Sequence, residues 1–150
     1  MKILFLTWKS FGNDDMIAAF RSLGQEVEEL PYSDKDEPAD GAAVKAFADQ
    51  VKSLSAECVF SFNYFPVVAL ACKVLGMPYL SWIYDSPYVR LYHYSIAYPT
   101  NHVFVFDSSL ALEFQQHLVA YLVGHRPGVL YIVKILVVEQ VGAAVEYEIH

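Results

Sequence analysis

Apolar and polar positions alternate along this chain in blocks of two kinds, short continuous runs and longer stretches with helical spacing. The opening run Lys2-Ile3-Leu4-Phe5-Leu6-Thr7 is nearly all apolar, the pattern of a strand covered on both faces of a parallel sheet. Asn13-Asp14-Asp15 then predicts a helix start. Asn13 is placed to cap it, the two acids sit at its positive dipole end, and Ile17, Phe20 and Leu23 share one face before Gly24 stops it. Val27 and Leu30 mark a weaker second strand ending at Pro31, and the polar stretch from Ser33 to Gly41 reads as a loop.

The same alternation repeats downstream. Val44, Phe47, Val51 and Leu54 form one helical stripe, and Cys58 to Phe62 is a third strand. Pro66 opens another helix whose apolar face is Val67, Leu70, Ala71 and Val74 and whose stop is Gly76. Tyr79 to Tyr84 and His102 to Phe106 are the fourth and fifth strands, each followed by an acid and a serine, Asp85-Ser86 and Asp107-Ser108. Strand-helix alternation of this kind predicts an α/β fold: a Rossmann-like open parallel sheet with helices on both faces and right-handed crossovers. Residues 1–118 make up that domain. Residues 119–150 break the pattern and predict an irregular, β-rich tail: a turn at Gly124 to Gly128, a strand from Val129 to Val138, and a half-exposed strand carrying Val145, Tyr147 and Ile149.

Composition narrows the functional classes. At 150 residues, with 55% hydrophobic and 18% charged residues, the chain can bury a single core without metals or disulfides. Its net charge of -7 and scattered lysines and arginines leave no basic face for a phosphate backbone, so nucleic acid is not an expected partner. Cys58 and Cys72 lack zinc-site spacing and are read as reduced thiols of a cytoplasmic protein. The longest apolar run, Val129 to Val138, falls well short of the roughly 20 residues of a membrane span.

In open α/β sheets ligands bind beyond the carboxyl ends of the strands. The positions to inspect are therefore Trp8, Lys9 and Ser10, then Asn63 and Tyr64, then Asp85 and Ser86, then Asp107 and Ser108. Asp85, Ser86, Asp107 and Ser108 also suit helix caps, and both roles stay open. Asp85 stands apart because aromatic neighbours can desolvate a carboxylate and raise its pKa toward the range useful to a base. The tyrosines from Tyr79 to Tyr98 suit a sugar or a base, and equally a core edge or an interface.

Missing motifs exclude several chemistries. Gly12 stands in the first strand-helix loop without a dinucleotide fingerprint or a phosphate loop, so neither a tightly held NAD nor nucleoside triphosphate hydrolysis is expected. Asp14-Asp15 is similar to the acids of response-regulator receivers, but Phe62-Asn63 ends the third strand where a phosphoacceptor Asp is needed. No G-x-S-x-G elbow is present, and the five histidines lack metal-pair spacing.

The segments MKILFLTWKSFGNDDMIAAF, FSFNYFPVVALACKVLGMPYLSWIYDSP and NHVFVFDSSL resemble the amino-terminal domain of bacterial glycosyltransferase-like proteins related to the spore maturation protein CgeB. The resemblance spans about residues 1 to 115, with F-N-Y-F-P and W-x-Y-D-S-P its most specific parts. It implies half of a two-domain GT-B fold and transfer of a sugar from a nucleotide-sugar donor to an acceptor, without a cofactor or an essential metal. On that reading Asp85 is the base, and Trp8, Lys9, Asn63, Tyr64, Ser86 and Asp107 contact the substrate. The donor site is expected in a second domain beyond these residues, so the chain alone is expected to be inactive or nearly so. The rival reading is a non-catalytic binding module whose tyrosine-rich face docks a partner protein or polysaccharide, or drives self-association.

Overall fold

The computed structural model describes residues 1–33, 39–85, 89–106, 108–114 and 116, with the backbone alone at 133–138 and 144–149. Seven strands, β1 (Lys2–Thr7), β2 (Glu26–Pro31), β3 (Cys58–Phe62), β4 (Tyr79–Ile83), β5 (Asn101–Val105), β6 (Val133–Val138) and β7 (Ala144–Ile149), form one sheet in the order β2-β1-β3-β4-β5-β6-β7. Every neighbouring pair from β2 to β6 is parallel, and β7 returns antiparallel to β6. With α1 (Asn13–Ser22) on one face and α2 (Gly41–Ser53) and α3 (Pro66–Leu75) on the other, the fold is α/β and Rossmann-like, as the sequence pattern predicts. The two tail strands lengthen the same sheet.

Coverage of the two faces is unequal. Leu4, Leu6 and Val59 face α2 and α3, while Ile3, Phe5, Phe60 and Phe62 face Ile17 and Phe20 of α1. Aromatic rings dominate the smaller layer, where Phe20 meets Phe5 and Phe60 edge to face at 6.5 and 5.2 Å. Such pairs each contribute about 0.5–1.5 kcal/mol beyond area burial. β1 and β3 are buried along both faces, whereas β4 and β5 alternate buried and half-buried positions. Leu80 and Trp82 thus share a half-open face with His102 and Phe104, and the Trp82 and Phe104 rings stack at 6.2 Å.

Local details depart from the sequence pattern in three places. Asn13 does not cap α1: Gly12 occupies the cap in the left-handed region at φ 79°, and Asn13 uses its side chain within the preceding loop. The fifth strand begins one residue early, because Asn101 pairs with Tyr79. Between β4 and β5 the described residues form two 3-10 turns, Val89–Tyr92 and Tyr94–Ala97, where the strand-helix alternation predicts a helix. The second turn is held from both ends: the His93 ring accepts the Ser95 N–H, and the buried Asn101 amide donates to the carbonyls of Ser95 and Ile96 at 2.6 and 3.3 Å. Ser86 and Pro87 lie outside the described residues.

Candidate functional site

The strand order reverses between β1 and β3, so their carboxyl ends diverge and open the crevice in which ligands of this fold class bind. Trp8 fills that crevice. Its indole Nε1 donates to the Phe62 carbonyl at 3.0 Å, its ring meets Phe65 edge to face, and it lies parallel to Tyr84 with centroids 6.3 Å apart. The loop behind it is tied down by Asn13, whose Nδ2 donates to the Trp8 carbonyl at 3.0 Å while its Oδ1 accepts from Ser10 Oγ at 2.6 Å. Phe11, at the tip of that loop, is 89% exposed.

Asn63 and Asp85 form the polar part of the rim. Asn63 follows β3 in the left-handed region at φ 61°, a conformation that Asn tolerates better than other residues bearing a Cβ. Its backbone N–H donates to the Trp82 carbonyl at 2.7 Å, its Nδ2 to Asp85 Oδ2 at 2.6 Å, and its Oδ1 accepts from the Tyr84 N–H at 3.4 Å. One buried amide therefore fixes the ends of β3 and β4 and orients one carboxylate oxygen. Asp85 is exposed and is not enclosed by its aromatic neighbours. Its other oxygen carries no hydrogen bond among the described residues. Burial, with the Asp85 charge second, raises the neighbouring Tyr84 phenol above its usual pKa.

Two other predicted contacts need correction. Tyr64 is 0% exposed and lies in the core, with its hydroxyl bonded to Ser95 Oγ and its ring beside Tyr79. The left-handed turn at Asn63 breaks the extended backbone and sends Tyr64 into the core. Asn63 is 2% exposed and acts from beneath the rim, its amide already committed to Asp85 and Tyr84. Lys9 is exposed after the end of β1. Ser86 and Asp107 lie outside the described residues. The tyrosines form no single face: Tyr79 is core, Tyr92 packs on Phe114, and Tyr98 lies under the Lys73 ammonium at 3.9 Å.

The open space lies beside Trp8, between the ends of β1 and β2 and the helical layer. Two adjoining cavities of about 520 and 810 Å³ share the wall Pro31, Tyr32 and Ser33. The smaller reaches Phe65, Arg90 and His93; the larger takes in Trp8 and Lys9. Asp85 borders neither. Tyr32, Arg90 and His93 escape sequence reasoning because they belong to a loop, to a 3-10 turn and to the link between two such turns, which carry no periodic signal. Phe65 is different, standing next to Tyr64 in the chain.

No group of three or more metal-ligating side chains occurs among the described residues, and no described helix is long and apolar enough to cross a membrane. No family model, curated protein or solved structure matches the chain.

Proposed function

We propose that residues 1–118 act as the acceptor-side domain of a GT-B-type glycosyltransferase, with Asp85 as its base. Asp85 takes the proton of an acceptor hydroxyl, the freed oxygen bonds to the sugar's anomeric carbon, and the nucleoside diphosphate leaves with the electrons of the broken bond. Trp8 and Lys9 flank the acceptor, and the donor is held by a second Rossmann-like domain. The observation that carries this reading is the 2.6 Å hydrogen bond from Asn63 to Asp85, which holds one carboxylate oxygen at the strand-end rim, while the other carries no hydrogen bond among the described residues. A base needs such orientation, within roughly 2.6–3.2 Å of the proton it removes.

Asp85→Asn in the full native protein, assayed against panels of nucleotide-sugar donors and acceptors, is expected to lower kcat by about 10²–10⁴-fold with donor KM unchanged. An unchanged kcat removes Asp85 from the mechanism. A second reading, a non-catalytic saccharide-binding module, draws support from the exposed Phe11 side chain on the loop after β1 and from the stacked, half-buried Trp8 and Tyr84 rings. It is favoured if saccharides perturb these rings while no donor is turned over.

A further inference from the structure

Phe11 is the most exposed large apolar side chain among the described residues, at the tip of the loop between β1 and α1. A lone exposed ring on a protein surface needs no explanation. This one stands at the strand-end rim on a loop held from several sides. The Ser10 N–H donates to the Trp8 carbonyl at 2.6 Å, the Asn13 amide bonds to both Trp8 and Ser10, and the Met16 N–H donates to the Gly12 carbonyl at 2.9 Å. The Trp8 indole locks the base of the loop to the end of β3. On the β4 side, the Tyr84 phenol is hydrogen-bonded to the Phe11 N–H and the Ser10 hydroxyl, and its ring lies parallel to that of Trp8. A ligand that covers a ring on so fixed a loop orders little that was free.

Tyr84 immediately precedes Asp85, so one tyrosine side chain spans from the Phe11 backbone to the strand end that carries the carboxylate. The rim thus combines an apolar platform with a hydrogen-bond acceptor, since one Asp85 oxygen carries no hydrogen bond among the described residues. A pyranose matches both: its C–H face lies flat on an aromatic ring, and the hydroxyls around its edge donate to a carboxylate. A hydroxyl on a flexible peptide or lipid chain brings no such face. We propose that the acceptor is a saccharide that lays one pyranose ring on Phe11 and directs a hydroxyl to Asp85. The inference rests on the transferase reading of Asp85 and adds the class of acceptor and the residue that selects it.

Nuclear magnetic resonance titration of the full chain without donor reads it directly, with cellobiose and lactose as probes, glycerol as the hydroxyl control and cyclohexanol as the apolar control. A disaccharide is expected to shift the Phe11 ring together with the amides of Phe11, Tyr84 and Asp85, and the two controls to shift them far less. Phe11→Ala, at a position too exposed to hold the fold, is expected to weaken binding about fivefold to tenfold, and Phe11→Tyr to restore it. Absence of these shifts for both disaccharides at tens of millimolar would overturn the proposal. So would equal affinity in Phe11→Ala, or a response to cyclohexanol as large as that to the sugars. Parallel transfer assays keep the two readings apart. Shifts that persist in Asp85→Asn while transfer is lost support both. Transfer to a non-sugar hydroxyl without the shifts keeps the transferase and overturns the saccharide acceptor. Shifts without turnover of any donor leave a saccharide site at Phe11 and overturn its assignment to an acceptor.

Discussion

Replacing Asn63 separates two contributions that the rim combines. Asn63→Ala removes the hydrogen bond to Asp85 and the acceptor for the Tyr84 N–H, and also forces a Cβ-bearing residue to hold φ 61° without the local hydrogen bonding that makes Asn tolerant there. Asp85 is exposed and regains water, so losing its partner costs about 1 kcal/mol; the half-buried Tyr84 N–H adds a similar amount, and the left-handed backbone about 1 kcal/mol more. The expected loss is about 3 kcal/mol. Asn63→Gly loses the same side-chain bonds but adopts positive φ without strain, so it should lose about 1 kcal/mol less than Asn63→Ala. Urea unfolding at constant m-value measures the difference. An Ala variant as stable as the Gly variant, or more stable, would refute the claim that the backbone at this position is held in the left-handed region by the rim.

Three further outcomes follow from the core and the turns. Tyr79→Phe leaves Ser61 Oγ and the buried Phe65 N–H without the hydroxyl that now bonds to both, at 2.6 and 3.1 Å, and should cost about 1–3 kcal/mol in urea unfolding with little change in fold. Burial lowers the His93 pKa below its ordinary 6.5, so between those two values the unfolded chain binds more protons than the folded one. The stability His93 contributes is therefore full above 6.5 and is lost as pH falls from there through the folded pKa; urea titrations across that range should show a slope that His93→Asn flattens. Burial pushes the Cys58 thiol up to about 12 and raises Cys72 as well, so neither should react with iodoacetamide in the folded protein, while both should react in urea, as mass spectrometry would show.

The sequence by itself determined the first five strands and the helices α1, α2 and α3, because four of those strands are short, mostly apolar runs and each of those helices carries an apolar stripe, with Gly closing α1 and α3. It also determined the edge where chemistry gathers, since a parallel sheet aims every strand's carboxyl end the same way. Tertiary structure decided which residues on that edge can act. Tyr64 and Asn63 are neighbours in the chain, yet one turns into the core and the other props up Asp85, a choice made by the left-handed turn at Asn63 and by Ser95 waiting beneath Tyr64. The cavity beside Phe65 was decided there too: Arg90 and His93 share its wall with Tyr32 only because non-periodic turns pack beside the end of β2, and such turns leave no repeating mark in the sequence to betray the contact.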